Sequence, residues 1–433
     1  MKKILHVLFT LFALQSFAQT MEDSVSMGTG IPIYPLDVYY NVTNGAKDTV
    51  RNNNWHLAFA VRSAQPPLNV ARAACVRINE ARGVQVFVPP TTQNWNTFDT
   101  SGWQSWRRLR DSDTSWDIGA FNDGYFVQQF NFGWGTYNMT TRHIDGQKTF
   151  LIRIQQGQNA VWRKFKVMQL SFDTTWYAAS ANIDGTDSAA ITITKGNYAG
   201  KLFAYYNLLN KTVVDREPAT PWHLLWSRYF TRVNVFGIDT FYTVTGILQH
   251  PTIRTARVSS VDTDSAAFND AEGKYTTLIN IIGWDWKVSP QGPPSTTPWE
   301  LVDSLSFFVK TAEMTDSAYK LVMTKFTGPN PQITIFNKTL MAKPKPTTVG
   351  VEKLSAGKIK LMVYPNPAHT ELYVATEENE ATAYITDLTG RTVYQQSTLS
   401  GTIRLDVSSL NKGVYFVRVS TRQGEAVSRV SIN

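Results

Sequence analysis

Apolar and polar residues alternate in short runs along most of this chain, and turn-forming residues separate the runs. Between about residues 30 and 341, Thr, Val, Tyr, Phe and Trp are frequent and a helical period is hard to find. Such residues favour pleated strands, whereas Asn, Asp, Gly and Pro favour the turns between them. The pattern predicts a large antiparallel β-fold, built as one domain or as two fused sheets.

Several strands and turns can be placed on this pattern. Tight turns favour Asp-Gly pairs, so hairpin turns are predicted at Asn122-Asp123-Gly124 and at Ile144-Asp145-Gly146. Examples of the predicted strands are residues 84–88, 150–154, 192–194 and 333–336.

One apolar pattern occurs twice. Trp55-His56-Leu57-Ala58-Phe59 is echoed by Trp222-His223-Leu224-Leu225-Trp226. In a strand, alternate residues share a face, so the histidine of each run is predicted to lie opposite the Trp and Leu. A second echo links residues 164–172 with residues 319–326. The echoes fit an internal duplication or, equally, recurrent strand patterning.

The end of the chain has a character of its own. All 13 Trp precede it, and residues 342–358, rich in Lys-Pro and Pro-Thr steps, form a predicted linker. Beyond it, Pro365-Asn366-Pro367 interrupts the strand pattern, Asp387-Leu388-Thr389-Gly390 fits a β-turn, and a further strand follows Gly413. Residues 359–433 are therefore predicted to form a small Ig-like β-sandwich.

The order of these motifs resembles the type A C-terminal sorting domain of type IX secretion substrates. The residues that carry the resemblance are Pro365, Asn366, Pro367, Gly390 and Gly413. The resemblance implies that the type IX secretion machinery is a partner, and that the domain is recognised at the outer membrane. It further implies attachment of the released protein to surface lipopolysaccharide.

The start of the chain agrees with export. Met1-Lys2-Lys3 is a short positive region, a mostly apolar stretch follows, and Ser16-Phe17-Ala18 suits cleavage before Gln19. Residues 1–18 are therefore predicted to be a secretory signal peptide. No other apolar run is long enough to span a membrane as a helix. The predicted location is the outer cell surface or the medium, reached through the periplasm.

The middle region, residues 19–341, resembles the HmuY-like haem-binding proteins in several strand-core phrases. Two Trp-His pairs depart from the family pattern, which has Trp-Asp there. The phrases are Trp55-His56-Leu57-Ala58-Phe59, Ser115-Trp116-Asp117-Ile118-Gly119-Ala120-Phe121-Asn122, Gly133-Trp134-Gly135-Thr136-Tyr137-Asn138, Arg216-Glu217-Pro218 leading to Trp222, and Tyr242-Thr243-Val244-Thr245-Gly246-Ile247-Leu248.

That resemblance implies haem held between two axial side chains, each His or Met. His143 and His250 are the candidate ligands because both lie in turn-rich stretches next to predicted strands. Met139 is a soft alternative close to His143. For each of these residues, the simpler interpretation is an ordinary solvated side chain. A metal site of another kind is not indicated.

Composition adds three further predictions. Cys75 lies in an apolar run and is predicted to be an inert core thiol. Trp106-Arg107-Arg108-Leu109-Arg110 is the one basic cluster, interpreted as a solvated turn or strand end, with an anion contact as the alternative. Partial exposure is predicted for four tryptophans in a polar stretch, Trp95, Trp103, Trp106 and Trp116.

The sequence contains no Gly-x-Ser-x-Gly, His-Glu-x-x-His or Gly-rich phosphate loop, so no enzyme is predicted. Although the net charge is +8, the export signals and the absence of a matching motif argue against a nucleic-acid partner. The predicted function is a secreted or cell-surface binding protein, with haem as the candidate ligand. The alternative is a surface adhesion or glycan-binding module exported by the same route.

Overall fold

The computed structural model describes residues 20–63, 71–122, 130–235, 237–288, 298–328, 332–343, 361–376, 380–398, 402–422 and 424–433. The chain divides into two compact units, Met1–Lys343 and Pro344–Asn433, called here the cargo unit and the sorting unit. Strands dominate both units, so the all-β prediction is confirmed. The predicted signal peptide, and the predicted linker beyond Lys343, lie outside the described residues.

The cargo unit begins with strands β1 (Thr20–Ser26), β2 (Leu36–Tyr40) and β3 (Lys47–Arg51). Its next twelve strands are β4 (Leu57–Ala60), β5 (Val76–Ile78), β6 (Val84–Val88), β7 (Arg107–Leu109), β8 (Gly135–Asn138), β9 (His143–Gly146), β10 (Phe150–Gln156), β11 (Asn159–Ser171), β12 (Thr175–Ala181), β13 (Ala189–Thr194), β14 (Phe203–Asn207) and β15 (Thr212–Val214).

The remaining cargo strands are β16 (Leu224–Val235), β17 (Ile238–Gln249), β18 (Arg254–Ser259), β19 (Lys287–Val288), β20 (Glu300–Leu301), β21 (Leu305–Lys310), β22 (Ser317–Phe326) and β23 (Ile333–Ala342). Short helical segments join some of these strands: 3-10 turns at Ala71–Ala73, Glu80–Arg82, Trp103–Ser105, Ala120–Asn122 and Lys195–Tyr198, and the helix α1 (Phe268–Ala271).

The strands β4–β15 form a first antiparallel sandwich. Its outer sheet has the order β13-β12-β11-β10-β6-β7, with β8 and β9 attached through β11. Its inner sheet has the order β15-β14-β4-β5. Large side chains from both sheets, among them Phe59, Phe165 and Trp176, fill one buried core between them.

A second sandwich combines strands from both ends of the cargo unit. Its outer sheet has the order β1-β23-β22-β21-β18, and its inner sheet the order β17-β16-β2-β3. Tyr40, Trp226 and Phe336 meet in its core, with ring centroids 5.5 to 5.6 Å apart. The first three strands of the chain therefore complete a sandwich whose other strands come from residues 224–342.

The two inner sheets face each other. Ala58, Phe203 and Tyr205 of the first meet Tyr39 and Leu225 of the second in a further apolar cluster. Both faces of each inner sheet are thus buried, and strands of that kind are apolar at consecutive positions. This explains the runs Leu57–Ala60 and Leu224-Leu225-Trp226, in which the usual alternation with polar residues is missing.

The two sandwiches repeat one arrangement. In the outer sheets, β13-β12-β11-β10-β6 corresponds in order to β1-β23-β22-β21-β18, and in the inner sheets β15-β14-β4-β5 corresponds to β3-β2-β16-β17. The strands β13–β15 therefore occupy the positions in the first sandwich that the N-terminal strands β1–β3 occupy in the second. The echo in the sequence reflects this duplicated topology.

The duplicated histidines make the same bonds. The backbone N–H of Leu208 donates to His56 Nδ1 (3.0 Å), and that of Val42 donates to His223 Nδ1 (3.1 Å). The backbone N–H of each histidine in turn donates to a tyrosine carbonyl on the neighbouring strand: His56 to Tyr206 (2.9 Å) and His223 to Tyr40 (2.8 Å). These side chains satisfy buried backbone donors where a strand pair ends, so their role is structural.

The second echo is also structural. Buried Lys164 and Lys320 occupy matching places on β11 and β22, and their Nζ atoms donate to the carbonyls of Trp95 (2.9 Å) and Ala266 (2.8 Å). The β11–β12 pairing shifts register after Val167, and the β22–β23 pairing after Met323. Both outer sheets are therefore bent by an equivalent β-bulge.

One predicted turn is wrong. Ile144-Asp145-Gly146 lies in strand β9, which pairs with β8 and β11. A Cβ on Gly146 would lie 1.6 Å from the carbonyl oxygen of Val167, so the glycine permits close approach of two strands rather than a turn. In the other predicted turn, Asn122 ends a 3-10 turn, and its two remaining residues lie outside the described ranges.

The sorting unit is a smaller sandwich. Its strands are β24 (Leu361–Tyr364), β25 (Glu371–Thr376), β26 (Ala381–Thr386), β27 (Thr392–Thr398), β28 (Thr402–Asp406), β29 (Gly413–Thr421) and β30 (Gly424–Ile432). They form the sheets β24-β25-β28 and β27-β26-β29-β30. Leu372 and Leu405 of the first sheet and Ile385 and Val417 of the second share one buried core.

His56 gives this fold a pH dependence. Burial, with a smaller contribution from Arg163, lowers the pKa of His56 from 6.5 to about 4. Because the unfolded chain binds the proton more readily, stability is lost as the pH falls from about 6.5 to 4, by up to about 3 kcal/mol. His56→Asn keeps an acceptor for Leu208 but does not titrate.

We expect urea unfolding of the wild type to show a steeper loss of stability between pH 7 and pH 4.5 than the His56→Asn variant shows. Equal slopes for the two proteins would contradict this assignment.

Candidate functional site

The candidate ligand His143 lies at the exposed end of the β8–β9 hairpin. Its ring meets Phe172 edge to face, with centroids 4.3 Å apart. Its Nδ1 is buried and has no hydrogen-bond partner among the described residues. Phe172 is 60% exposed, so an imidazole whose Nδ1 lacks a hydrogen-bond partner among the described residues packs against a solvent-exposed apolar side chain.

Met139 belongs to the same hairpin end. It lies in the turn between β8 and β9, which pair Asn138 with His143, and it is 72% exposed. Two further large apolar side chains on the same sheet are also exposed: Phe130, which packs on Tyr137 of β8, and Met168 at the β11 bulge. Tyr137 pairs with the core residue Ile144 and so lies on the other face of the hairpin from His143. We call His143, Met139 and Phe172 the His143 surface.

His250 has different surroundings. Its ring meets Trp222 at 4.5 Å, and its Nδ1 lies 2.7 Å from Thr252 Oγ1. The N–H of Thr252 also donates to this nitrogen, at 3.3 Å. Burial, aided by Arg62 and His223, lowers the pKa of His250 to about 3, so the ring is neutral at physiological pH. The structure therefore does not group His250 with His143.

His250 lines a groove of about 360 Å3 together with Arg62, Arg72 and Lys201. Arg62 donates to Asp117 at 2.7 Å, and Lys201 is paired with Asp215. The basic groups of this groove are thus largely compensated by carboxylates of the chain itself.

A partly open cavity of about 80 Å3 lies between the two inner sheets. Ligand pockets for small organic molecules usually measure roughly 300–1,000 Å3, so this cavity suits water or a small ion rather than a macrocycle. Arg216 lines it, with its guanidinium 5.2 Å from the ring of Trp55 and 4.9 Å from that of Tyr205. Arg216 Nε and Nη1 have no partner within the described part of the chain.

Arg216 also forms a buried ion pair with Asp37 of β2. The carboxylate of Asp37 accepts two further bonds, from Asn52 Nδ2 (3.1 Å) and Ser227 Oγ (2.8 Å). Asp37 is 4% exposed. It thereby joins the N-terminal hairpin to β16 and to the segment that connects the two sandwiches.

We expect Arg216→Leu to lower the free energy of unfolding by about 3–5 kcal/mol, because Asp37 would remain charged and buried without a counterion. Lys47→Gln is the matched control: the Lys47–Asp23 pair lies at the surface, with side chains 35% and 18% exposed, and should contribute less than about 1 kcal/mol. Chemical denaturation of both variants measures the difference. Similar small losses would show that the Asp37–Arg216 pair is not a structural constraint.

The basic cluster is only partly solvated. Arg108 and Arg110 flank the end of edge strand β7, and both bind the buried carboxylate of Glu80. Their side chains remain about a quarter exposed, at 25% and 24%. The sequence could not reveal this arrangement, because Glu80 is distant along the chain.

Two of the four tryptophans are more buried than predicted. Trp106 and Trp116 are 8% and 9% exposed, and the indole N–H of Trp116 donates to the carbonyl of Gln249 across the two sandwiches (2.8 Å). Trp95 and Trp103 are half-buried, as expected. Cys75 is fully buried, which raises the pKa of its thiol to about 12, so it is an inert core residue.

The predicted sorting residues lie at turns and strand ends of the sorting unit. Asn366 accepts from the backbone N–H of Ser431 (3.0 Å) and donates to the carbonyl of Arg429 (3.1 Å), and so holds the last strand. The N–H of Gly390 donates to Asp387 O (3.0 Å), with φ at +82°, which confirms the predicted turn. Gly413 begins β29.

Residues 362–433 match the family described as the secretion system C-terminal sorting domain. The sorting unit is a type IX secretion sorting domain. The protein is therefore exported, and its destination is the cell surface or the medium. The secretion machinery is its partner during export.

One similar solved structure is that of PorZ, described as an essential surface component of the type-IX secretion system of Porphyromonas gingivalis. The two proteins share 13% identity, and the match covers 67% of this chain and 44% of PorZ, with a TM-score of 0.17. This chain thus spans less than half the length of PorZ. No curated protein matches the chain, so the resemblance of the middle region to HmuY-like proteins stays a prediction.

Two features are absent from the described residues. No helix in those ranges is long and apolar enough to cross a membrane. No group of three or more His, Cys, Asp or Glu within them is placed to hold a metal ion.

We expect residues 344–433, fused to a fluorescent reporter with a signal peptide, to carry the reporter to the surface or medium in a host with type IX secretion. Asn366→Ala should reduce export, because it frees the last strand from two hydrogen bonds. A fusion that ends at residue 360 is the control and should stay in the periplasm. Equal retention of both fusions would contradict the assignment.

Proposed function

We propose that the cargo unit is a non-enzymatic binding protein of the cell surface and that its ligand is haem, bound at the His143 surface. The observation that carries the proposal is the half-buried imidazole of His143, which packs edge to face on exposed Phe172. Its Nδ1 is enclosed by the fold and has no hydrogen-bond partner among the described residues, so the ring would present Nε2 to the iron. Haem requires an axial nitrogen or sulfur ligand and an apolar wall for the macrocycle.

The surroundings support this choice of chemistry. Met139 offers a thioether at the same hairpin end, where it is 72% exposed, and Phe172 beside the imidazole is 60% exposed. Exposed apolar side chains grouped in one region of a folded protein often mark an interaction site. His250 is the weaker candidate, because its Nδ1 already accepts from Thr252 and its ring is packed on Trp222.

A binding role also fits the carboxylates of the cargo unit. Asp37, Glu80 and Asp111, which line the cavity between the inner sheets, each contact an arginine of the same chain. Carboxylates paired in this way stabilise the fold. Attachment to surface lipopolysaccharide after sorting is a further part of the proposal, supported by the resemblance of the sorting unit alone.

Haemin titration of the mature protein, residues 19–433, tests the proposal. We expect a Soret shift at micromolar protein and neutral pH, and binding at least about tenfold weaker in His143→Ala, since a lost axial ligand removes the main contact to iron. His250→Asn is the control, because it keeps an acceptor for Thr252 and should bind haemin as the wild type does.

Two results would overturn the proposal. One is the absence of a Soret shift in the wild type, and the other is equal haemin affinity in the wild type and His143→Ala. A loss confined to His250→Asn would instead move the ligand to the groove beside Arg62.

A further inference from the structure

The outer half of the β16–β17 hairpin carries a stack of aromatic rings and guanidinium groups. Phe230 of β16 and Phe241 of β17 lie parallel, with ring centroids 5.8 Å apart and an interplanar angle of 5°. The guanidinium of Arg110 is 4.6 Å from the first ring and 4.1 Å from the second. Arg108 lies 5.2 Å from Phe230, and Arg232 lies 5.1 Å from Phe241.

The stack lies outside the cores of the cargo unit. Only Leu224, Leu225 and Trp226 of β16 pair with β2, and beyond them β16 pairs with β17 alone among the described strands. The first five residues of β17 are exposed, and Phe241 itself is 39% exposed. Arg232 is exposed as well. Arg108 and Arg110 also bind Glu80 and so support the fold, whereas the exposed contact of Arg232 with Phe241 contributes little to folding.

Positive charge exceeds negative charge on this surface. Glu80 binds both Arg108 and Arg110, and Asp239 near the hairpin tip accepts from Asn234. Arg153 lies close enough to Arg108 to act on it electrostatically. Burial and nearby Asp111 raise the pKa of Glu80 to about 7, so its compensation of the arginines is incomplete at neutral pH. Four arginines therefore face Glu80 and Asp239, while nearby Asp111 is paired with Arg77 and Asp113 accepts from Thr231.

We propose that this surface, formed by Arg108, Arg110, Arg232, Phe230 and Phe241, binds an acidic polysaccharide. The guanidinium fork matches the planar carboxylate of a uronic acid and the oxygens of a sulfate ester. Stacking on the phenyl rings fixes the forks in place before binding, which reduces the entropy lost on contact. The charge complementarity requires an anionic partner, and an exported protein meets acidic polysaccharides outside the cell.

The same geometry argues against single-stranded nucleic acid. Proteins that bind such strands leave aromatic faces open for bases to stack on. Here guanidinium groups lie over both Phe230 and Phe241. The available contacts are therefore charged N–H edges, which suit carboxylate or sulfate groups better than bases.

Binding of the mature protein to polygalacturonate in 150 mM salt tests the proposal, with neutral dextran and a thymidine oligonucleotide as comparison probes. We expect binding to polygalacturonate only, weakened at least about fivefold by Arg232→Gln and by Phe241→Ala. Phe241→Ala changes no charge, so its effect isolates the stack. Arg254→Gln, at the exposed first residue of β18, removes the same charge elsewhere and should leave affinity unchanged.

Three outcomes would overturn the proposal. Equal weakening by Arg254→Gln and Arg232→Gln would indicate adsorption by net charge alone. Unchanged binding in Phe241→Ala, with a melting temperature equal to that of the wild type, would remove the stack from the site. Tighter binding of the oligonucleotide would point to a nucleic acid. None of these results depends on haem, so this proposal and the proposed function fail separately.

Discussion

The cargo unit depends on the pairing of its first strands with strands from its far end. β1 pairs with β23 along all seven of its residues, and β2 pairs with β16. Asp37 reinforces this closure, because its carboxylate is bound by Asn52, Ser227 and Arg216 in the buried space between the sheets. The second sandwich is complete only when both ends of residues 20–342 are present, whereas the strands of the first are contiguous in sequence.

With this closure in place, the candidate functional surfaces of the duplicated fold lie outside its cores. The duplicated histidines, lysines and bulges all make backbone contacts within the fold. The candidate functional residues are therefore other side chains, at the surface. The His143 surface lies at one hairpin end of the first sandwich, and the Arg–Phe stack lies on the outer half of a hairpin of the second. Functional side chains on elements positioned by a rigid scaffold are the usual arrangement in β-proteins.

The local pattern of apolar and polar residues predicts much of the strand structure. Contacts between residues that are far apart in the chain could not be predicted from it. Strand β6 falls at the predicted residues 84–88 because its composition and turns agree. The turn predicted at Gly146 is wrong, because only the neighbouring strand shows that a Cβ at this position would clash with the carbonyl oxygen of Val167. Trp116 is buried by residues from the other sandwich, which no local pattern records. Likewise, His143 could be named from the sequence, but its contact with Phe172 and the stack on Phe230 could not.

Hydrogen exchange on the mature protein with residues 20–52 removed tests the closure most directly. The account predicts that amides of β16, β22 and β23 lose protection, while those of β10, β11 and β12 keep most of theirs. Protection retained in β22 and β23, or lost equally in both sandwiches, would contradict a second sandwich completed by the N-terminal strands.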